Sequence, residues 1–149
     1  MVRTLALLIL IAPSTAFASL GGTAASIDAD RVRTQGALMR IVQSNAYALH
    51  EIRSASGTLV REYVSSSGTV FAVAWDGPWL PDLRQVLGDH FDEYQAAMSG
   101  AQRARKGRGA IAIDLPGLVV QMSGHPRAFV GRAYVPALLP SGVPLDSIR

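Results

Sequence analysis

Three histidines (His50, His90 and His125) and a plentiful set of serines and carboxylates are the residues best equipped for chemistry in this 149-residue chain. A serine hydrolase needs a nucleophile held by local geometry, a base and an orienting acid. No G-x-S-x-G elbow is present, and Ser123-Gly124-His125 reads more simply as a turn. Cysteine catalysis is excluded, because the chain contains no cysteine. Asp89, His90, Asp92 and Glu93 fall within about one helical turn. They lack H-x-x-x-H or calcium-loop spacing, so they read as a solvated acidic face with a boundary histidine. The expectation is therefore no catalytic set, no metal and no cofactor.

Two other constellations point to binding. Trp75 and Trp79 flank Asp76-Gly77-Pro78, and Arg61 and Glu62 lie on the strand beside this corner. Aromatics with one wet edge line pockets for apolar or sugar ligands, so Trp75, Asp76, Trp79, Arg61 and Glu62 form a candidate ligand site. The competing reading makes both tryptophans core, and Arg61–Glu62 is equally open as a structural ion pair. Arg103, Arg105, Lys106 and Arg108 make the one basic cluster. It suits an anionic envelope surface, with a solvated loop as the plain alternative. Nucleic acid is disfavoured, because no aromatics interleave with the cations and the chain reads as exported.

The export reading comes from the first eighteen residues. Arg3 supplies a positive n-region, Leu5 to Ala12 an apolar run, Pro13 a break, and Ala16-Phe17-Ala18 an A-x-A cleavage site. Those are the three parts of a secretory signal peptide, and the run is far shorter than the ~20 residues a membrane span requires. The expected organisation is a signal peptide over 1–18, a flexible segment over 19–26 and one globular domain over 27–149. The mature protein is expected to be soluble, periplasmic or extracellular, with no transmembrane segment. Without disulfides its core must suffice alone. At 49% hydrophobic and 17% charged residues the chain is globular and not disordered. A net charge of +3 selects no partner class.

The elements that must position these residues follow from periodicity. Asp28 or Asp30 could cap a short helix to Gln35, preferred over a longer one reaching Ser44 on Leu38, Ile41 and Val42, because Gly36 interrupts. Tyr47–Arg53, Thr58–Ser65 and Thr69–Trp75 predict a three-strand meander, with Asp76-Gly77-Pro78 ending the third strand. That third strand is apolar on both faces, Phe71, Val73 and Trp75 alternating with Val70, Ala72 and Ala74, and so is central and covered twice. A helix capped by Asp82, with Gln85 placed to reach back, carries the stripe Leu83, Val86, Leu87, Phe91, Tyr94 and Met98. Ser99–Gly109 reads as a basic surface loop. Three more strands follow at Ala110–Leu115, Leu118–Ser123 and Arg127–Val135, the first two joined by a type II turn at Pro116-Gly117. The Pro-rich tail is expected to wrap the domain in extended form. The class is α+β: an antiparallel sheet of about five to seven strands with one amphipathic helix packed on it.

Several strings taken in order (Val60–Val64, VREYV; Thr69–Trp75, TVFAVAW; Gly77–Arg84, GPWLPDLR; Leu87-Gly88; Ser123–Tyr134, SGHPRAFVGRAY; Asp146–Arg149, DSIR) resemble a known family. It is the group of exported proteobacterial proteins catalogued as a domain of unknown function, number 2844. The resemblance spans nearly all of the mature chain and implies an exported single-domain protein, with no activity, ligand or catalytic residue to carry over. The functional expectation is a non-enzymatic domain that binds an envelope or secreted protein. A small-ligand module at the Trp75/Trp79 corner comes second, and a hydrolase without a recognisable motif third.

Overall fold

The computed structural model describes residues 20–23, 37–104 and 109–149, with 101–104 described by backbone alone. The signal peptide expected over 1–18 and the short helix expected to run from Asp28 or Asp30 to Gln35 lie outside the described residues. Seven antiparallel strands form one sheet: β1 Ala37–Gln43, β2 Tyr47–Arg53, β3 Leu59–Ser65, β4 Val70–Gly77, β5 Ile111–Asp114, β6 Val119–His125 and β7 Ala128–Tyr134. Their order is β1-β2-β3-β4-β7-β6-β5, so β4 is the central strand, as its two apolar faces require. Helix α1 (Leu83–Leu87), a 3-10 turn (Gly88–His90) and helix α2 (Phe91–Ala104) connect β4 to β5. The α+β class and the helix-on-sheet layering are those the periodicity predicts.

Several details differ from the sequence reading. β1 replaces a helical alternative: Leu38, Ile41 and Val42 fit helical spacing, but pairing with β2 gives the β-branched residues a strand. β4 runs two residues past Trp75, and Asp76 pairs with Leu59 and Val130, Gly77 with Phe129. Gly77 can stay in the strand because it lies against Thr58, where a β-carbon would meet the Thr58 backbone. Tyr63 pairs with Ala72 but Val64 with Val70, so Phe71 is the extra residue of a bulge. The bulge turns Phe71 onto the face of Ala72 and Ala74, not that of Val73 and Trp75.

The helix is not continuous. Asp82 Oδ1 accepts from the Arg84 and Gln85 amides as predicted, but Gly88 adopts φ 52° and caps α1. Gly88 therefore redirects the chain instead of weakening a single helix. The apolar stripe survives the break, because Val86, Leu87 and Tyr94 are buried with Leu83, Phe91 and Met98 packed against them. α2 extends through Ala104, taking Ser99–Ala104 out of the expected loop; Ala101, Gln102, Arg103 and Ala104 are good helix formers. Gly117 has no positive φ, which excludes the type II turn between β5 and β6. The turn before β7 falls at Pro126-Arg127, not at Ser123-Gly124-His125, since β6 runs to His125.

Leu20–Thr23 lies within the segment expected to be loose, yet it is tied to the sheet. Leu20 N–H donates to Val86 O, Gly21 N–H to Val70 O, and Val70 N–H to Gly22 O, while Leu20 is buried in the core. One apolar layer lies between the sheet and the helices, built on Ile52, Val73, Trp75, Val86, Leu87, Val120 and Ala133. The other lies under the C-terminal tail, where Tyr63, Phe71, Ala72, Ala74 and Tyr134 pack with Ile148. The tail crosses in extended conformation with two 3-10 turns, Pro136–Leu138 and Leu145–Ser147. Arg132 Nη1 donates to Leu145 O and Ile148 O, and the Tyr63 hydroxyl bonds Ser147 O and Arg149.

Candidate functional site

The five residues singled out around the Trp corner separate onto two faces. Trp75, in the centre of the sheet, is buried on the helix face, and its indole N–H makes no hydrogen bond. Trp79 is 60% exposed on the loop after β4, so the two tryptophans do not form one aromatic wall. Arg61 and Glu62 are neighbours on β3 and point to opposite faces, as strand geometry dictates. Glu62 is buried on the helix face, opposite His50 on β2 and Val73 on β4. Arg61 lies on the tail face and pairs with Glu51, so the Arg61–Glu62 ion pair does not form.

On the tail face Arg61 and Asp76 do come together, lining one groove of about 540 Å³ with Tyr47, Glu51, Tyr63 and Arg149. Glu51 is its electrostatic centre. Arg40 Nε donates to one carboxylate oxygen at 2.5 Å and Arg61 Nε to the other at 3.1 Å. Burial pushes the Glu51 carboxyl up, but the hydrogen bonds and positive charges of Arg40 and Arg61 outweigh it and hold the group below its ordinary 4.5. Tyr47, Tyr63 and Phe71 pack beneath in tilted and edge-on contacts, with centroids 5.4–6.1 Å apart. Within the groove Arg40, Glu51 and Arg61 are already paired with one another.

The histidines are dispersed. His90 Nδ1 is 3.7 Å from Glu93 Oε2, and His125, exposed, contacts the Pro126 carbonyl. Among the described residues no three His, Asp or Glu side chains converge in a way that could hold a metal ion. Arg105, Lys106 and Arg108 lie outside the described residues, and Arg103 is described only as part of the α2 backbone. No helix among the described residues is long and apolar enough to cross a membrane.

Sequence reasoning missed β1. Its seven residues form one edge of the sheet, and Met39, Ile41 and Val42 are 56%, 47% and 38% exposed. A bulge between Leu38 and Arg40 interrupts the β2 register. The opposite edge, β5, has only four residues and alternates exposed Ala112 and Asp114 with Ile111 and Ile113. The signal that could have found β1 was the β-branched pair Ile41-Val42 ahead of the Ser44-Asn45 turn.

The matching strings described above extend to a whole-family match: the family model "Protein of unknown function (DUF2844)" covers residues 16–148. The chain belongs to that family. Its match takes in the described strands and helices together with the tail as far as Ile148. No curated protein matches the chain, and no solved structure does.

Proposed function

We propose that this member of the DUF2844 family is an exported, non-enzymatic binding domain. Its partner is another envelope or secreted protein, which adds an extended segment to the edge of β1 that pairs with no other described strand. The observation that carries this reading is the seven-residue edge strand with Met39, Ile41 and Val42 exposed together. An edge strand offers a row of main-chain donors and acceptors, and proteins normally blunt such edges with short length, charge or proline. Strand addition uses the main chain for affinity and alternate side chains for selectivity. Arg40 is the one charged residue of β1, and its guanidinium is engaged with Glu51. Export rests on the n-region, apolar run and A-x-A site of residues 1–18.

A photo-crosslinking residue in place of Met39, introduced into the full chain in its native cells, tests the reading. The expected result is a discrete crosslinked partner that disappears when Ile41→Pro removes an edge donor and fixes the backbone. A crosslink indifferent to Ile41→Pro, or none at Met39 while a probe at Trp79 gives one, overturns the edge-strand assignment. The intact mass of the same exported material should begin at Ser19, and a mass beginning at Met1 overturns cleavage.

A further inference from the structure

Concave surfaces open on both faces of the sheet. On the helix face an apolar cavity lies beside Glu62, with Ile52, Val60 and Val86 in its walls. On the tail face the groove around Glu51, about 540 Å³, brings opposite charges together without pairing all of them. Its volume falls within the ~300–1,000 Å³ range of small-molecule sites. Arg61 on β3 stands opposite Ala74 on β4, so Asp76, two residues on, is its diagonal neighbour on the same face. Such neighbours lie ~7–8 Å apart, within reach of a long side chain. Arg61 nevertheless turns to β2, where its Nε donates to Glu51 Oε1 at 3.1 Å. Among the described residues, no hydrogen bond or ion pair engages the Asp76 carboxylate, and neither Arg61 Nη nitrogen has an acceptor. Strong donors and a strong acceptor thus face one groove across a gap.

The arrangement is held from beneath. The Glu51 side chain, 12% exposed, fixes Arg61 from one side and Arg40 from the other. The Tyr63 hydroxyl accepts from Arg149 N–H at 3.0 Å, which holds the Arg149 main chain at the rim. Val130, 47% exposed, sits opposite Asp76 on β7 and gives the groove an apolar border. A site held in this way binds without first ordering its polar groups.

The charges select against ions of either sign. An anion aimed at Arg61 meets the Glu51 and Asp76 carboxylates, and a cation aimed at Asp76 meets Arg61 and Arg149. A hydroxyl group suits both ends of the gap, because it accepts from Arg61 and donates to Asp76. Hydrogen bonds to charged groups of this kind are about twice as strong as neutral ones. We propose that this groove binds a neutral sugar residue. Adjacent hydroxyls bridge Arg61 Nη and the Asp76 carboxylate, and the C–H face of the ring covers Val130. The site goes beyond strand addition at β1, and a failure of either reading leaves the other standing.

A glycan array carrying neutral, uronic-acid, sulfated and amino-sugar glycans, probed with the full-length mature protein, tests this. Binding to one or more neutral glycans is expected, with the charged glycans weaker. Titration calorimetry then follows the best neutral glycan and the methyl glycosides of its constituent sugars. Equal affinity for a methyl glycoside assigns a single ring and binding of the parent glycan alone assigns a chain; both support the site. Asp76→Ala, at an exposed position, should weaken binding about tenfold or more with an unchanged thermal midpoint, as expected when a charge-assisted bond is lost. Arg61→Lys, which keeps the charge and removes the guanidinium fork, should weaken it similarly. Trp79→Ala, outside the groove, should change nothing. No bound glycan, a preference for charged glycans, affinity unchanged in Asp76→Ala, or binding lost in Trp79→Ala overturns the proposal.

Discussion

Gly131 on β7 lies directly against the indole of Trp75, its partner across the β4–β7 pair, so closely that a β-carbon there would overlap the ring. The largest buried side chain of the central strand is thus accommodated by the absence of one on its neighbour. Gly131→Ala should destabilise the fold by about 1–3 kcal/mol through overpacking. In urea unfolding, Trp75→Leu should cost less in the Gly131→Ala background than in the wild type, because the two share one volume. Strict additivity would show that the contact is not the cause.

Glu51 gives the fold an acid-sensitive element. Its carboxyl is held below the ordinary 4.5, so the folded state binds fewer protons than the unfolded chain as pH falls. The stabilisation is fully present above the unfolded value and is lost as pH drops through the lower folded value. Arg40 is 64% exposed, which screens its share and limits the effect to about 1 kcal/mol. Unfolding free energy measured between about pH 6 and pH 3 should decline more steeply for the wild type than for Glu51→Gln.

Thr58, buried between the hairpin and the loop, makes both main-chain hydrogen bonds of Trp79. Thr58→Val keeps the shape and removes the hydroxyl, leaving two backbone groups to find water. The expected loss is about 1–3 kcal/mol. Faster hydrogen exchange at the Trp79 amide, with the β4 amides still protected, would locate it.

Tyr63 ties the sheet to the tail by donating to Ser147 O and Arg149 O and accepting from Arg149 N–H. Tyr63→Phe should cost about 1 kcal/mol. Exchange should rise over 145–149 more than in the strands. Uniform exchange changes across the sheet would refute a local role.

Leu87 is fully buried where the helices meet the sheet. Leu87→Ala should destabilise by about 2–5 kcal/mol, read from the urea midpoint at unchanged slope. An unchanged midpoint would remove α1 from the core.

Much of the fold was legible because it depends on patterns a few residues long. The alternation in β2, β3 and β4, the Asp82 cap and the stripe from Leu83 to Met98 are all local, and each has its predicted partner in the structure. The break at Gly88 was not legible, since a glycine inside a periodic stripe fits both a weakened helix and a cap. β1 was hidden because Leu38, Ile41 and Val42 satisfy helical spacing, and only pairing with β2 makes them a strand.

The candidate sites divide along the same line. Sequence alone determined which residues were available: no cysteine, a Trp-flanked corner, adjacent Arg61 and Glu62, and a leader-like first eighteen residues. Tertiary structure decided which of them share a surface. The pleat sends Arg61 to Glu51 and Asp76 on the tail face, and Glu62 to the apolar cavity on the other. The bulge at Phe71 shifts which of its residues face the helix, and the glycine at 131 leaves room for Trp75 inside. Register and facing come from strands distant in the chain, through hydrogen bonds and contacts that no local spacing encodes.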